Sequence, residues 1–518
     1  MRTVRSTFLG FFALLLAAWF APPALGQVAA PPAPERVEAG AWTTEWEHWY
    51  QLDLAGATAG WMKQTMESDD ARYRTRSSTE FKISRGPIEL EVSIESEFIE
   101  THAGEPIRFR FVQDLSMQKV DTTWEFDEDT VTMIAEQGGR QIRREVPRPA
   151  GPWLTPMGVH RFWQSRLAAG ADAVEYQTLD GEQGLTPITM RHERVGTTTV
   201  DHDGRSLPAV VWKTTTSAMP GIVATTKTSE DGHLLAEEAM LPFGSMVTRI
   251  ATRAEALAAG AAPAPELMVK TFVRTDKPIR RPRATQASTL RVRVREGDLP
   301  ELPSAGAQRV EVTPGTNSAI IHLDVSANQP AAVTADERAE YLAASAMVNS
   351  EDPLIAKLAA NACRGVSDDP FARAEAMRGF VHRHISQKSL DTAFATASET
   401  ARMRTGDCSE HGVLLCALLR SQKIPARVAT GLVYADQFAG ERDIFGWHMW
   451  TQALIDDRWV DFDATLADRF DAAHVLTGAS SLAEGMGGSD LSSVMLLLGN
   501  IEIDVLDVRH HAATAVDG

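Results

Sequence analysis

The chain reads Gly406-Asp407-Cys408-Ser409-Glu410-His411 towards its C-terminal end, then Gly446-Trp447-His448-Met449-Trp450, then Trp459-Val460-Asp461-Phe462-Asp463-Ala464-Thr465. These stretches supply a thiol, an imidazole and a carboxylate in that order. The three groups are the parts of a nucleophile system, in which the imidazole exchanges a proton with the thiol and the carboxylate orients the imidazole. Cys408, His448 and Asp463 are therefore the candidate catalytic residues.

Cys408 is predicted to lie in the first turn of a helix. Asp407 and Glu410 have the spacing of a capping box, which opens a helix at Cys408. The unpaired N–H groups of a helix start favour a thiolate and lower the pKa of a cysteine below its usual value of about 8.5. An apolar stripe that includes Leu414 and Leu418 then anchors this helix in a core, so the thiol is held on a rigid element.

Strand register brings His448 and Asp463 to one face. The segments 448–455 and 458–463 are rich in bulky residues and flank Asp456-Asp457, which predicts a tight hairpin. Across a loop with an even number of residues, positions whose numbers add to an odd value share a face, as 448 and 463 do. Asp461 shares that face as well, so parity leaves it as the rival carboxylate.

The order of these residues resembles the transglutaminase-like superfamily, relatives of papain-type cysteine enzymes, over about residues 333–478. The resemblance places the acid in a Trp-x-x-Phe-Asp-x-Thr setting, which favours Asp463 over Asp461. It implies an α+β core and acyl transfer through a thioester on Cys408. Animal transglutaminases use a tryptophan upstream of the nucleophile, whereas this chain has none between Trp212 and Trp447.

That departure leaves the second oxyanion donor open, with Gln387 and Ser398 as upstream candidates beside the Cys408 N–H. It also favours a hydrolase, a cysteine protease or amidase, over a calcium-dependent cross-linking acyltransferase, because no convincing calcium loop is present. In a hydrolase water cleaves the thioester, whereas in an acyltransferase an amine attacks it. No cofactor is predicted, and His411 with Cys408 gives too few ligands to predict a metal site.

Two other interpretations stay open at this stage. One is an exported binding or assembly module in which the transglutaminase-like fold is not catalytic, and the other is an enzyme whose protein or peptide substrate is a cell-wall peptide. The N-terminal β-rich region has no nucleophile constellation of its own, and its role is not indicated by the sequence.

The N-terminal residues predict export to a periplasm or to the exterior. Arg2 and Arg5 precede the apolar stretch 8–20, and Ala24-Leu25-Gly26 offers small residues for cleavage, as in a secretory signal peptide. Removing residues 1–26 takes away two arginines and no acids, which changes the formal charge from −18 to −20. So acidic a protein is not expected to bind nucleic acid, and no later segment is apolar enough to predict a stable membrane span.

The chain is expected to divide into parts of different composition and pattern. Cys408 is expected to stay a thiol, while Cys363 and Cys416 are the pair for which the sequence leaves a disulfide open. The fold class is α+β. The predicted parts are a signal peptide (1–26), a flexible tether (27–40), an antiparallel β-rich domain (41–276), a linker with a small β unit (277–332), the transglutaminase-like catalytic core (333–478) and a C-terminal extension (479–518).

Overall fold

The computed structural model describes residues 42–511 except 86–87, 115–118, 138–139, 220, 242–243, 296, 313–314, 346, 390–394 and 483–496. The predicted signal peptide, the tether and part of the C-terminal extension lie outside the described residues. Those that are described form two compact units that meet in sequence between Leu267 and Met268. The domain boundaries given above stay predictions.

The N-terminal unit is built on one antiparallel sheet of 14 strands. Strands β1 to β8 follow one another across the sheet, β9 to β14 do the same, and β1 pairs with β14 to join the two runs. The strands are β1 Thr43–Leu54, β2 Ala57–Ser68, β3 Arg72–Arg85, β4 Ile88–Thr101, β5 Pro106–Asp114, β6 Lys119–Phe126, β7 Thr130–Gln137, β8 Arg140–Pro147, β9 Ala173–Asp180, β10 Gly184–His202, β11 Arg205–Thr216, β12 Ala224–Thr228, β13 Leu234–Leu241 and β14 Gly244–Ala251.

Two helices of this unit begin at threonine caps. Helix α1, Pro156–Ala168, starts where the Thr155 hydroxyl accepts a hydrogen bond from the Gly158 N–H, and α2, Arg253–Gly260, starts at a capping box. Trp163 of α1 is buried edge-on against Trp212 of the sheet, with ring centroids 5.1 Å apart. Burial of these large rings ties α1 to the sheet.

The C-terminal unit combines a sheet in the order β15-β22-β21-β24, with β23 paired to β22, and a second sheet in the order β17-β18-β16-β25. Apolar residues of both sheets, such as Leu290 and Leu432, share one buried core. A two-residue strand pair, β19 with β20, runs in parallel. The strands are β15 Val273–Arg274, β16 Thr285–Val294, β17 Gln308–Val312, β18 Ser318–Asp324, β19 Gln387–Lys388, β20 Thr405–Gly406, β21 Ala426–Phe438, β22 Glu441–Ile455, β23 Arg458–Phe462, β24 His474–Ser480 and β25 Ile501–His510.

Among the described residues, five α-helices of this unit lie between β18 and β21 along the chain. They are α3 Ala335–Glu340, α4 Pro353–Ala362, α5 Pro370–His384, α6 Ala397–Met403 and α7 Cys408–Ser421. Helix-start signals at Thr334, Asp352-Pro353 and Asp369-Pro370 predict three helices of this unit before α7, and the structure corrects this to four among the described residues. The additional helix is α6, whose capping box of Thr396 and Glu399 is a local signal that the prediction did not include.

Helix α7 is the central helix of the unit. Every residue from Ser409 to Arg420 is buried, as expected of a helix surrounded by other elements. It packs against β21 and β22 on the sheet side, and against α4, α5 and α6. The predicted α+β class, with a β-rich N-terminal part and a C-terminal part of helices packed on a sheet, is confirmed.

Candidate active site

The first turn of α7 is fixed by side chains that fold back on it. The Asp407 carboxylate accepts a hydrogen bond from the Ser409 N–H at 2.8 Å, and the Glu410 carboxylate accepts one from the Asp407 N–H at 2.8 Å. Gly406 makes room for this, because a Cβ there would lie 2.4 Å from the Cβ of Glu410. Cys408, half-buried, is thus the first residue of a helix whose start is held in place.

His448 and Asp463 are brought together by the hairpin of β22 and β23. Asp456 and Asp457 both have positive φ, 49° and 53°, as a two-residue type I′ turn requires. The resulting register pairs Thr451 with Phe462, which puts Asp463 one diagonal step from His448. His448 Nε2 lies 2.9 Å from Asp463 Oδ2. Since Nε2 is engaged by the carboxylate, Nδ1 is the nitrogen left to exchange a proton with a thiol.

The start of α7 lies against the same part of β22. The Thr451 hydroxyl, three residues from His448, donates to the Gly412 carbonyl at 2.9 Å, and Gly412 is one helical turn from Cys408. The structure therefore brings the helix start, the imidazole strand and the carboxylate into one region of the C-terminal unit. The catalytic roles of Cys408, His448 and Asp463 stay a proposal.

The rival carboxylate, Asp461, is engaged elsewhere. Its Oδ1 accepts hydrogen bonds from Trp450 Nε1 and Gln452 Nε2, each at 2.8 Å, and its Oδ2 accepts one from the Ala307 N–H at 2.9 Å. Burial raises the pKa of this carboxyl. Asp461 therefore has the contacts of a buried structural acid. Of the two candidate carboxylates, Asp463 is the one that contacts His448.

Asp463 accepts hydrogen bonds from three donors. Besides His448, they are the Thr465 N–H, 2.7 Å from Oδ1, and a second imidazole, His474, whose Nε2 lies 3.3 Å from Oδ2. Burial of Asp463 favours its neutral form, but the charge and hydrogen bond of His448, followed by those of His474, hold its pKa well below 3.8. Asp463 is therefore a carboxylate at neutral pH.

His474 is a site residue that sequence reasoning missed. It opens β24, a strand that was not predicted and that pairs with β21. Its Nδ1 lies 3.2 Å from Asp471 Oδ1, and Arg283 lies 2.8 Å from the other oxygen of Asp471. Burial opposes a charge on His474, yet Asp471 and Asp463 outweigh it and raise its pKa to about 9. The spacing Asp471-x-x-His474 was the one local signal for this pair.

This buried charge predicts how stability changes with pH. Because the pKa of His474 rises from 6.5 to about 9 on folding, its protonation stabilises the fold fully below about pH 6.5, and the stabilisation is lost as the pH rises through about 9. The loss is up to about 3 kcal/mol in unfolding free energy. Urea unfolding at pH 6.5 and 9.5, read from labelling of the buried Cys416 by peptide mass spectrometry, measures it. A His474→Gln variant is expected to show a smaller fall, and an equal fall in both proteins would contradict the prediction.

His411, one turn after Cys408, is a neutral imidazole with two partners. Its Nδ1 lies 2.5 Å from the Asp407 carbonyl, and its Nε2 contacts the ammonium of Lys388. Burial lowers the pKa of His411 to about 4. A neutral ring here donates from Nδ1 to the carbonyl and accepts at Nε2 from the lysine, so the ring supports the helix start.

The two candidates for a second oxyanion donor lie in different surroundings. Gln387 is exposed on β19 and pairs with Thr405, three residues before Cys408. Ser398 is buried in α6, and its N–H donates to Asn349 Oδ1 at 3.0 Å. Gln387 is thus the one on a strand paired with β20, which ends two residues before Cys408, and neither is assigned as the donor. Cys363 and Cys416, for which a disulfide was left open, are both thiols.

The two histidines and the carboxylate of this site also have the spacing of possible ligands for a metal ion. His448, Asp463 and His474 each offer one ligand atom, and these atoms lie within 4.8 Å of one another. Hydrogen bonds from both rings to Asp463 Oδ2 account for this spacing without an ion, and we assign no metal to it.

Comparison with known proteins identifies this region. Residues 356–464 match the family model described as the transglutaminase-like superfamily. No curated protein matches the chain. Among the described residues, no helix has both the length and the apolar character needed to cross a bilayer.

Two solved structures are similar to parts of the chain. One is a beta-barrel-like protein of a domain of unknown function from Brucella abortus, with 13% identity, 39% of this chain and 94% of that chain covered, and a TM-score of 0.31. The other is the periplasmic domain of TgpA from Pseudomonas aeruginosa, with 15% identity, 38% and 89% covered, and a TM-score of 0.27. It is the family model, together with the geometry above, that identifies the C-terminal core, residues 356–464, as a member of the transglutaminase-like superfamily.

Proposed function

We propose that the C-terminal core is a cysteine hydrolase, a protease or amidase, that cleaves carboxamide or peptide bonds through a thioester on Cys408. The observation that carries the proposal is the 2.9 Å contact of His448 Nε2 with a buried carboxylate, on the strand packed against the start of the Cys408 helix. Such a contact fixes the imidazole tautomer and leaves its other nitrogen for the thiol.

The reaction follows from these groups. The Cys408 thiolate attacks the carbonyl carbon, the resulting oxyanion is stabilised by the N–H at the helix start, and the His448 imidazolium gives its proton to the departing amine. Water then attacks the thioester, its proton passes to His448, and the acid leaves as the thiolate re-forms. An amine in place of water would give acyl transfer. Asp463 holds the imidazole in orientation throughout.

We further propose that the protein is exported, to a periplasm or to the exterior, after removal of residues 1–26, and that its substrate is a protein or peptide, with cell-wall peptides as one source of such amides. The support is the basic and then apolar N-terminal sequence and the acidic charge of the remainder.

Labelling with iodoacetamide tests the nucleophile without a known substrate. Cys363 is the matched control, because it is half-buried like Cys408 but follows the C-terminal end of its helix. At pH 6 we expect Cys408 of the full chain to react at least about tenfold faster than Cys363, since a thiolate at a helix start beside an imidazolium is formed at lower pH. The rates are read from peptide masses.

A His448→Ala variant is the second arm of this experiment. It is expected to remove the advantage of Cys408 at pH 6 and to leave the rate at Cys363 unchanged. Equal rates at the two cysteines of the unmodified protein would instead favour an exported binding or assembly module with a structural thiol.

A further inference from the structure

The proposed site contains a second histidine that the reaction described above does not use. His474 and His448 share one acceptor, Oδ2 of Asp463, at 3.3 Å and 2.9 Å. The side chains of His474 and Asp463 have no exposed area. His474 also lies ten positions beyond residue 464, where the match to the family model ends.

The contacts of His474 fix its protonation. One nitrogen faces Asp463 and the other faces Asp471, at 3.2 Å from the carboxylate and 3.1 Å from the backbone carbonyl. All of these partners are acceptors, and an imidazole that donates from both nitrogens carries two protons and a positive charge. Asp471 is in turn held by the Ala473 N–H at 2.8 Å and by Arg283. His474 is therefore a buried imidazolium between two carboxylates.

We propose that His474 is a positioning residue of the active site, a fixed cation that shares the Asp463 carboxylate with His448 and so weakens the hold of Asp463 on the His448 proton. The inference rests on the proposed function and extends it. The Asp463 carboxylate already offsets the charge of the His474 imidazolium, so it stabilises a second imidazolium, that of His448, less strongly. His448 therefore gives its proton to the departing amine more readily than it would beside Asp463 alone.

Other charges also act on this pair. Asp463 interacts electrostatically with Lys388 and His411, and Asp461 interacts in the same way with His474. Lys388 adds positive charge and His411 is neutral at pH 7. The Asp461 carboxylate accepts a hydrogen bond from Trp450, whose ring stacks on that of His448. Among the described residues, Asp471 and Asp463 act on His474 directly, Arg283 pairs with Asp471, and Arg378 donates to the Asp463 carbonyl at 3.3 Å, while Lys388, His411 and Asp461 interact electrostatically with Asp463 or His474.

The size of the effect follows from distance. The two imidazole rings have centroids 5.9 Å apart. A unit charge at about 6 Å and an effective dielectric constant of about 20 shifts a neighbouring titration by about two pH units. Asp471 carries the opposite charge on the far side of His474 and offsets part of this. A shift of about one to two pH units is expected when His474 is made neutral.

The alkylation rate of Cys408 in the full chain measures this shift without a substrate. In a thiolate–imidazolium pair the rate of reaction with iodoacetamide rises to a plateau as the pair forms, and rises again at higher pH when the imidazolium loses its proton. We expect the midpoint of the second rise to move to higher pH by about one to two pH units in His474→Gln. His411→Gln is the matched control, because it removes a buried neutral ring near the same thiol. It is expected to leave the pH midpoint of the second rise unchanged.

The outcomes separate this inference from the proposed function. Absence of the plateau in the unmodified protein would contradict the thiolate–imidazolium pair itself. A plateau with an unmoved second rise in a folded His474→Gln protein would overturn the role of His474 alone, as would an equal shift in His411→Gln.

A spectroscopic measurement applies even where His474→Gln does not fold. In ¹⁵N-histidine-labelled His448→Ala protein, one ring is expected to keep protons on both nitrogens from pH 6 to pH 8, at pH values where ordinary histidines become neutral. That ring is His474. A spectrum in which every ring is neutral at pH 8 would overturn the proposal.

Discussion

Turnover of an amide substrate is expected to fall by at least about 10⁴-fold when Cys408 is replaced with alanine. The reason is that the thioester cannot form, so any remaining rate comes from binding and from the oxyanion donor alone. Stability is expected to change by less than about 1 kcal/mol in unfolding free energy, because the side chain is half-buried and its loss opens little cavity. Hydrolysis of quenched fluorescent peptides, or capture of acyl adducts by mass spectrometry, measures the rate.

Two other thiols provide the controls. Cys363→Ala, outside the site, is expected to retain full turnover. Cys416→Ala removes a buried thiol from α7 itself, so it is expected to cost some stability and leave the chemistry intact. Full turnover in Cys408→Ala on a verified substrate would show that the mechanism is wrong, whatever the other variants do.

Local sequence patterns predicted the parts of the site that depend on neighbours in the chain. The capping box of Asp407 and Glu410 is sufficient to start α7 at Cys408, and a two-residue turn is sufficient to put residues 448 and 463 on one face. Parity could not separate Asp461 from Asp463. The structure separates them because Asp463 lies just past the last paired residue of β23, Phe462, where it reaches His448.

Long-range pairing explains what the sequence did not show. His474 reaches Asp463 because β24 pairs with β21, which in turn pairs with β22, and no pattern within β24 specifies these partners. Long-range pairing also determines the sheet of the N-terminal unit. Its individual strands are predictable from the alternation of apolar and polar residues. Joining its two runs of strands into one sheet depends on β1 meeting β14, about 200 residues later in the chain.

The largest combined effect on activity and stability is expected at Asp463. Asp463→Asn leaves one carbonyl oxygen and adds an NH₂ group where His448, His474 and the Thr465 N–H all donate. The imidazole then loses its fixed tautomer, and turnover is expected to fall by about 10³- to 10⁴-fold. Asp463→Ala also leaves the buried charge of His474 without one of its two carboxylates. That loss is expected to cost about 3–5 kcal/mol in unfolding free energy.

Asp461→Asn is the matched control, because Asp461 is also buried, lies on β23 two residues before Asp463 and accepts the same number of hydrogen bonds, none of them from His448. Loss of part of that network is expected to lower the unfolding free energy by about 1–3 kcal/mol and to keep turnover within about threefold of the unmodified protein. The decisive comparison is therefore the ratio of the two rates at a temperature where both variants are folded. If Asp461→Asn were the inactive variant and Asp463→Asn the active one, the orienting carboxylate would be Asp461, and the 2.9 Å contact would not be the catalytic one.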